Sequence, residues 1–307
     1  MKIYINSAKE NWIVDRIKKE WKKSNPNSYT HFSSKADIVW LLAPWTWKKV
    51  NTKTLRSKKV VCSIYHIDED KFTTDDLKEF KDRDVYIDFY HTISTKSKIQ
   101  LQKLTTKPIF VSPFWVNQNI FFDIPNTQNL SKKLGFSPDD YLIGSFQRDT
   151  EGSDLKSPKL SKGPDRFIEI VEHYYKLNPD IAVVLTGKRR NYVISQLKAK
   201  KIKFYYFEMV DFTKLNELYN CLDLYIVSSR FEGGPQAILE CAITNTPVIS
   251  TDVGIASEIL SKESIYNMEN FYEAKPNTTK AYQNVTKLTL PEGMDNFLKY
   301  FEEVYES

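Results

Sequence analysis

The stretch LYIVSSRFEGGPQAILE, residues 224–240, sets an apolar run before two glycines, a proline and a second apolar run. LYIVSS reads as a buried strand, because a short apolar run bounded by turn residues suits a strand covered on both faces. Arg230 to Gly234 reads as the turn, where Gly233 and Gly234 permit a tight bend and a close approach of a ligand to the backbone. Pro235 suits the first helical position, where the missing N–H is no loss. The helix that follows contains AILECAI. This order leaves Glu232 before the helix and Glu240 inside it. Eight residues apart, the two do not share a helical face. A loop carboxylate and a helix carboxylate can still approach different parts of one ligand.

The alternation extends outward in both directions. Upstream, YLIGSF (141–146), IAVVLTG (181–187) and KIKFYYFEM (201–209) read as strands, with helices at 164–177 and 212–221 between them. Downstream, PVISTD (247–252) reads as another strand. The N-terminal half repeats the rhythm with KIYI (2–5), DIVWLL (37–42), KVVCSIYH (59–66), VYIDFYH (85–91) and PIFVSPF (108–114), and a helix around 11–23. Strand–helix–strand at this spacing argues for open parallel sheets covered by helices. The polar interval DIPNTQNLSKKLGFSPDD, 123–140, divides the two series. The expected layout is an N-terminal domain over 1–125 and a second domain over 126–291. A terminal helix over 292–307 can pack back on the first. Two such domains create a cleft at the C-terminal ends of their strands.

Composition narrows the function classes. The 307 residues suffice for two ordinary domains. Forty-four Lys/Arg against 39 Asp/Glu give a formal charge of +5, an excess that favours phosphates or anionic surfaces without indicating nucleic acid. Cys62, Cys221 and Cys241 are too dispersed for a zinc or disulfide framework. The first residues lack a signal-peptide pattern, and no apolar run reaches the length of a membrane span. The expected location is cytoplasmic, with peripheral membrane contact open. WIVDRIKKEWKK (12–23) can touch lipid with Trp12, Ile13, Ile17, Trp21 and its basic residues, or pack one side into the domain.

The carboxylates also have plain readings. Glu232 can cap or face water, Glu240 can pair with a base, and the glycines can only shape a turn. The surrounding sequence separates these readings. SRFEGGPQAILE followed by CAITNTPVISTDVGIASEIL resembles the nucleotide-sugar-binding half of retaining GT-B glycosyltransferases of family GT4. The matching pieces are Glu232 to Pro235, Glu240, Pro247–Ser250 and Gly254–Glu258. IGSFQRD (143–149) and LSKGPDRFIE (160–169) extend the resemblance, which is concentrated in roughly 141–262.

The resemblance implies two doubly wound parallel-sheet domains facing across a cleft. It implies transfer of a sugar from a nucleotide-diphosphate donor to an acceptor hydroxyl of a glycan or glycolipid, with retained anomeric configuration. A UDP-sugar is favoured over a GDP-sugar, and no metal is implied. Arg148 and Lys162 are expected at the donor diphosphate, as a planar fork and a mobile charge. Gly187 and Lys188 are expected near the nucleotide, Gly254 in a phosphate loop, and Glu240 on sugar hydroxyls. Glu232 would orient the transferred group, and His66 would contact sugar or acceptor. The loop VGIAS departs from the family's adjacent glycines, and INSAKENWIV lacks its N-terminal glycine-rich loop.

Three other accounts fit some of these residues. A metal-dependent GT-A glycosyltransferase would use DED (68–70) or DRD (82–84), the latter read as a polar strand entrance. A non-enzymatic nucleotide-sugar-binding protein would need the donor residues alone. A glycosidase would need the two Glu to bracket a glycosidic bond.

Overall fold

A computed structural model describes residues 1–9 and 13–307. The expected connection from Asn6 to Asn11, and the helix start at Trp12, fall partly outside the described residues. The chain divides into two compact units, Met1–Trp115 with Pro291–Ser307, and Val116–Leu290.

In the first unit, β1 (Ile3–Ile5), β2 (Ile38–Leu41), β3 (Lys59–Ile64), β4 (Phe89–Thr92) and β5 (Ile109–Val111) pair in that order, all parallel. After β1 and helix Ile13–Ser24, Tyr29 bridges Ile3 in parallel before the chain crosses to β2. The winding therefore reverses at β1, which puts helices on both faces. Alternation along β2 separates those faces. Val39 and Leu41 pack with Leu55, Phe80 and Leu101 from three helices. Trp40, between them, meets Trp21 of helix Ile13–Ser24 and Phe301 of the C-terminal helix Glu292–Glu306, at centroid distances of 5.5 and 5.0 Å. Val14, Ile17 and Trp21 are buried, so the apolar side of the first helix is spent on this core.

One local expectation needs correction. Strand β4 begins at Phe89, not Val85, and Asp82–Arg83–Asp84 ends helix Thr74–Asp84 instead of opening a strand. Thr73 and Asp76 form a reciprocal capping box that starts this helix. Once nucleated there, it runs on through the charged triplet.

In the second unit, β6 (Tyr141–Ser145), β7 (Ile181–Thr186), β8 (Lys203–Phe207), β9 (Leu224–Val227), β10 (Val248–Thr251) and β11 (Ile265–Tyr266) are also all parallel. Their order is β11-β10-β9-β6-β7-β8. The chain winds outward one way from β6 and the other way from β9, so the reversal falls between those two strands. One face packs Ile143, Val183 and Ile226 against Phe167 and Val171 of helix Pro164–Leu177. The other packs Leu142, Val184 and Val227 against Ile238 and Leu239 of helix Gln236–Ile243. Among the described residues, no helix is long and apolar enough to cross a membrane.

Candidate functional site

In an open parallel sheet, ligands bind beyond the C-terminal strand ends where the winding reverses. In the second unit that point is the gap between β6 and β9. Phe146, Gln147 and Arg148 follow β6, and Ser228 to Glu232 follow β9. A third segment enters between them, the 3₁₀ turn Leu160–Lys162 and Gly163.

Backbone bonds hold these segments in register. The amides of Arg230 and Phe231 donate to the Ser161 carbonyl at 2.8 and 3.1 Å. Arg230 also donates both guanidinium arms to Asp165, at 2.8 and 2.6 Å, and one arm to the Leu160 carbonyl. Asp165 sits in the first turn of helix Pro164–Leu177, so the pair ties the loop after β9 to that helix. Gly163 makes the approach possible. Its φ is +60°, and a Cβ there would lie 1.8 Å from the Ser228 carbonyl oxygen. Ser228 in turn donates to the Gly163 carbonyl at 2.8 Å.

This packing brings Lys162 and Glu232 into a partly buried ion pair, Nζ to Oε1. Ser229 Oγ lies 3.3 Å from both Glu232 Oε1 and Gln147 Oε1, and Gln147 donates its side-chain amide to the Lys162 carbonyl at 2.8 Å. Gly254, at φ +51°, closes on the same loop. A Cβ there would lie 2.1 Å from the Gly233 carbonyl oxygen and 2.8 Å from that of Glu232. Lys162, Glu232, Gly233 and Gly254 are thus gathered at one place.

The other expected residues are distributed around this centre or away from it. Arg148 is exposed beyond β6, its Nε donating to the Thr150 carbonyl at 2.7 Å. Gly187 follows β7 and its carbonyl accepts from the Tyr206 hydroxyl at 3.0 Å; Lys188 next to it is exposed. Gly234 precedes helix Gln236–Ile243, whose first helical residue is Gln236, with Pro235 one position earlier. Glu240 is buried inside that helix, and its Oε2 accepts from the Tyr219 hydroxyl at 2.9 Å. Burial first, and the nearby Glu240 charge second, push the Tyr219 hydroxyl well above its ordinary pKa. Tyr219 therefore keeps its proton and donates it to Glu240. His66 belongs to the first unit, exposed in the loop after β3. His91, by contrast, is buried on β4 between Ser63 Oγ and the Ser112 carbonyl, each at 2.9 Å.

Three features at the site escaped the sequence reading. Arg230 stands inside the quoted stretch, but its partner Asp165 lies 65 residues away. The buried pair Arg190–Asp149, 3.2 Å apart, joins the loops after β7 and β6. Asp149 Oδ1 also accepts from the Tyr192 amide at the start of helix Asn191–Ala199. Burial raises the Asp149 carboxyl to about 6 despite Arg190. Lys159, half-buried, is the third; its amide donates to the Asp149 carbonyl at 2.8 Å. A Lys–x–x–Lys–Gly spacing was the available signal for it. A separate cavity of about 290 Å³, lined by Tyr141, Tyr174, Ile181 and Leu224, opens at the opposite, N-terminal ends of the strands. Among the described residues, no group of three His, Cys, Asp or Glu is placed to hold a metal ion.

Two all-parallel α/β sheets with this order define the GT-B class of fold. HepE from Anabaena, solved in complex with UDP, superposes with a TM-score of 0.76 over 99% of this chain and 100% of that chain, at 12% identity. TarM from S. aureus, solved with fondaparinux, alpha-GlcNAc-glycerol and UDP, gives 0.66 over 96% of this chain and 59% of that one, at 15% identity. At such identities the likeness establishes the fold. In sequence, residues 156–295 match the family described as glycosyl transferases group 1, a stretch that takes in Lys159, Lys162, Gly187, Glu232, Glu240 and Gly254. The lipopolysaccharide core biosynthesis mannosyltransferase LpsB of Rhizobium meliloti (strain 1021) is 26% identical over 46% of this chain. The match spans 44% of LpsB, less than half its length.

Proposed function

We propose that the protein is a retaining glycosyltransferase of the GT4 type, moving a sugar from a nucleotide-diphosphate donor to an acceptor hydroxyl. The observation that carries this reading is the Lys162–Glu232 pair at the strand reversal of a unit matched by glycosyl transferases group 1. Breaking the sugar–phosphate bond leaves negative charge on the diphosphate. Lys162 and Arg148 oppose that charge more strongly as it grows, which lowers the barrier instead of merely tightening binding. Glu232, held by Lys162 and Ser229, orients the transferred sugar. Glu240, braced by Tyr219, accepts donor hydroxyls. Gly187, Lys188 and the amides around Gly234 line the nucleotide and its phosphates. His66 contributes a hydrogen bond to sugar or acceptor.

A UDP-sugar is the favoured donor. The UDP complex of HepE supports that choice by fold alone. The acceptor is a glycan or a glycolipid, a class that the LpsB match supports. The reaction proceeds on the front face of the sugar without a covalent enzyme intermediate and without a metal. The GT-A alternative does not fit two separate parallel sheets, and its DRD triplet belongs to a helix.

The test is product formation from a panel of UDP- and GDP-sugars with pooled glycan and glycolipid acceptors, with and without chelator. Retained anomeric configuration and indifference to chelator are expected. Inversion would sink the mechanism. Donor binding with neither transfer nor hydrolysis would make the protein a binding module.

A further inference from the structure

We propose that Lys159 is a third cation of the donor site, a direct ligand of the donor's diphosphate alongside Lys162 and Arg148. The inference rests on the reading that a nucleoside diphosphate binds at the β6/β9 reversal.

Three placements lead to it. The amide of Lys162 donates to the Lys159 carbonyl at 2.8 Å, closing the 3₁₀ turn Leu160–Lys162. Lys159 stands at the head of that turn, with its own backbone outside the helical region at φ −78° and ψ 82°, so one tight bend separates it from Lys162. The amide of Lys159 is bonded to the Asp149 carbonyl, and Thr150 bridges Pro158 in antiparallel fashion. These bonds set residue 159 directly beside the segment that carries Arg148. One short turn therefore draws three cations together from two stretches of chain.

The local charges do not balance. Glu232 takes up Lys162. Neither Lys159 nor Arg148 has an ion-pair partner among the described residues. With Glu232 already paired to Lys162, the half-buried Lys159 ammonium faces more positive than negative charge. Consistent with this, the Lys159 ammonium is held below its ordinary pKa, first by burial and then by the Lys162 and Arg148 charges, against the smaller opposing pull of Glu232 and Glu151. A diphosphate supplies the missing negative charge, and binding it relieves the repulsion among the three side chains. Lys159 would act both on donor affinity and on the leaving group, because the diphosphate gains charge as the sugar departs.

The experiment measures UDP and uridine binding to wild type, Lys159→Gln and Lys159→Arg by calorimetry and competition, with GDP and guanosine in parallel. Lys159→Gln should weaken diphosphate binding about tenfold, the loss typical of one charge-assisted hydrogen bond. It should leave nucleoside binding unchanged and should not lower the thermal midpoint. Lys159→Arg should restore most of the affinity. Wild-type UDP affinity in Lys159→Gln would overturn the proposal, and so would an equal loss of UDP and uridine, which marks a general disturbance of the loop. Failure of the wild type to bind either diphosphate would instead overturn the donor-site reading itself.

Discussion

Gly254 sits where a side chain has no room: its φ is +51°, and the Gly233 carbonyl oxygen occupies the direction a Cβ would take. Gly254→Ala forces either the backbone out of the left-handed region or the Gly233 loop away from its place. We expect a loss of about 1–3 kcal/mol in stability, measured by urea denaturation, together with weaker UDP binding. His91 is a second single-residue case. Its ring accepts from Ser63 Oγ, donates to the Ser112 carbonyl, and so is built in as the neutral form. Burial lowers its pKa from 6.5 to about 4. The folded value lies below the unfolded one, so the stabilisation is complete above pH 6.5 and is lost as pH falls toward 4. The first unit should lose about 3 kcal/mol across that window. Denaturation at several pH values should show the slope in wild type and its near absence in His91→Gln.

Elements decide how close Lys162 and Glu232 come. The turn before helix Pro164–Leu177 and the loop after β9 are clamped by Arg230 and Asp165. Arg230→Ala removes the clamp but keeps the buried strands, so the thermal midpoint should move by only a few degrees while the donor KM rises about tenfold. Steady-state kinetics beside calorimetric melting separates the two effects. The same scale shows what the sequence carried. β7 and β9 were legible because strands buried on both faces read as nearly unbroken apolar runs. The stretch from Val85 to Tyr86 was misread because an aromatic, β-branched pair looks like strand entry, whereas the Thr73 cap decides the helix from eleven residues upstream of Asp84. The glycine turn and the two Glu were visible in one stretch. That Lys162 meets Glu232 was not, because amide-to-carbonyl bonds at Ser161 bring them together and leave no mark in side-chain type.

At the scale of the molecule, the first unit is assembled from both ends of the chain. Phe297 stacks on Phe114 with centroids 5.5 Å apart, and Phe301 lies against Trp21 and Trp40. Phe301 is fully buried. Phe301→Ala should therefore cost about 3–5 kcal/mol, read as a lower urea midpoint for the tryptophan fluorescence of this unit. Alternating strands and helices made two sheets readable from composition and period alone. The reversal at β1 was not, because it hangs on a single bridge at Tyr29, too short to register as a strand.

The position of helix Glu292–Glu306 also sets an order of events during synthesis. Every residue of Val116–Leu290 leaves the ribosome before this helix does. The second unit can thus fold while the nascent first unit still shows Trp40 and Phe114 to solvent. The half made first is finished last, and in the interval its aromatic face is the surface a chaperone would hold.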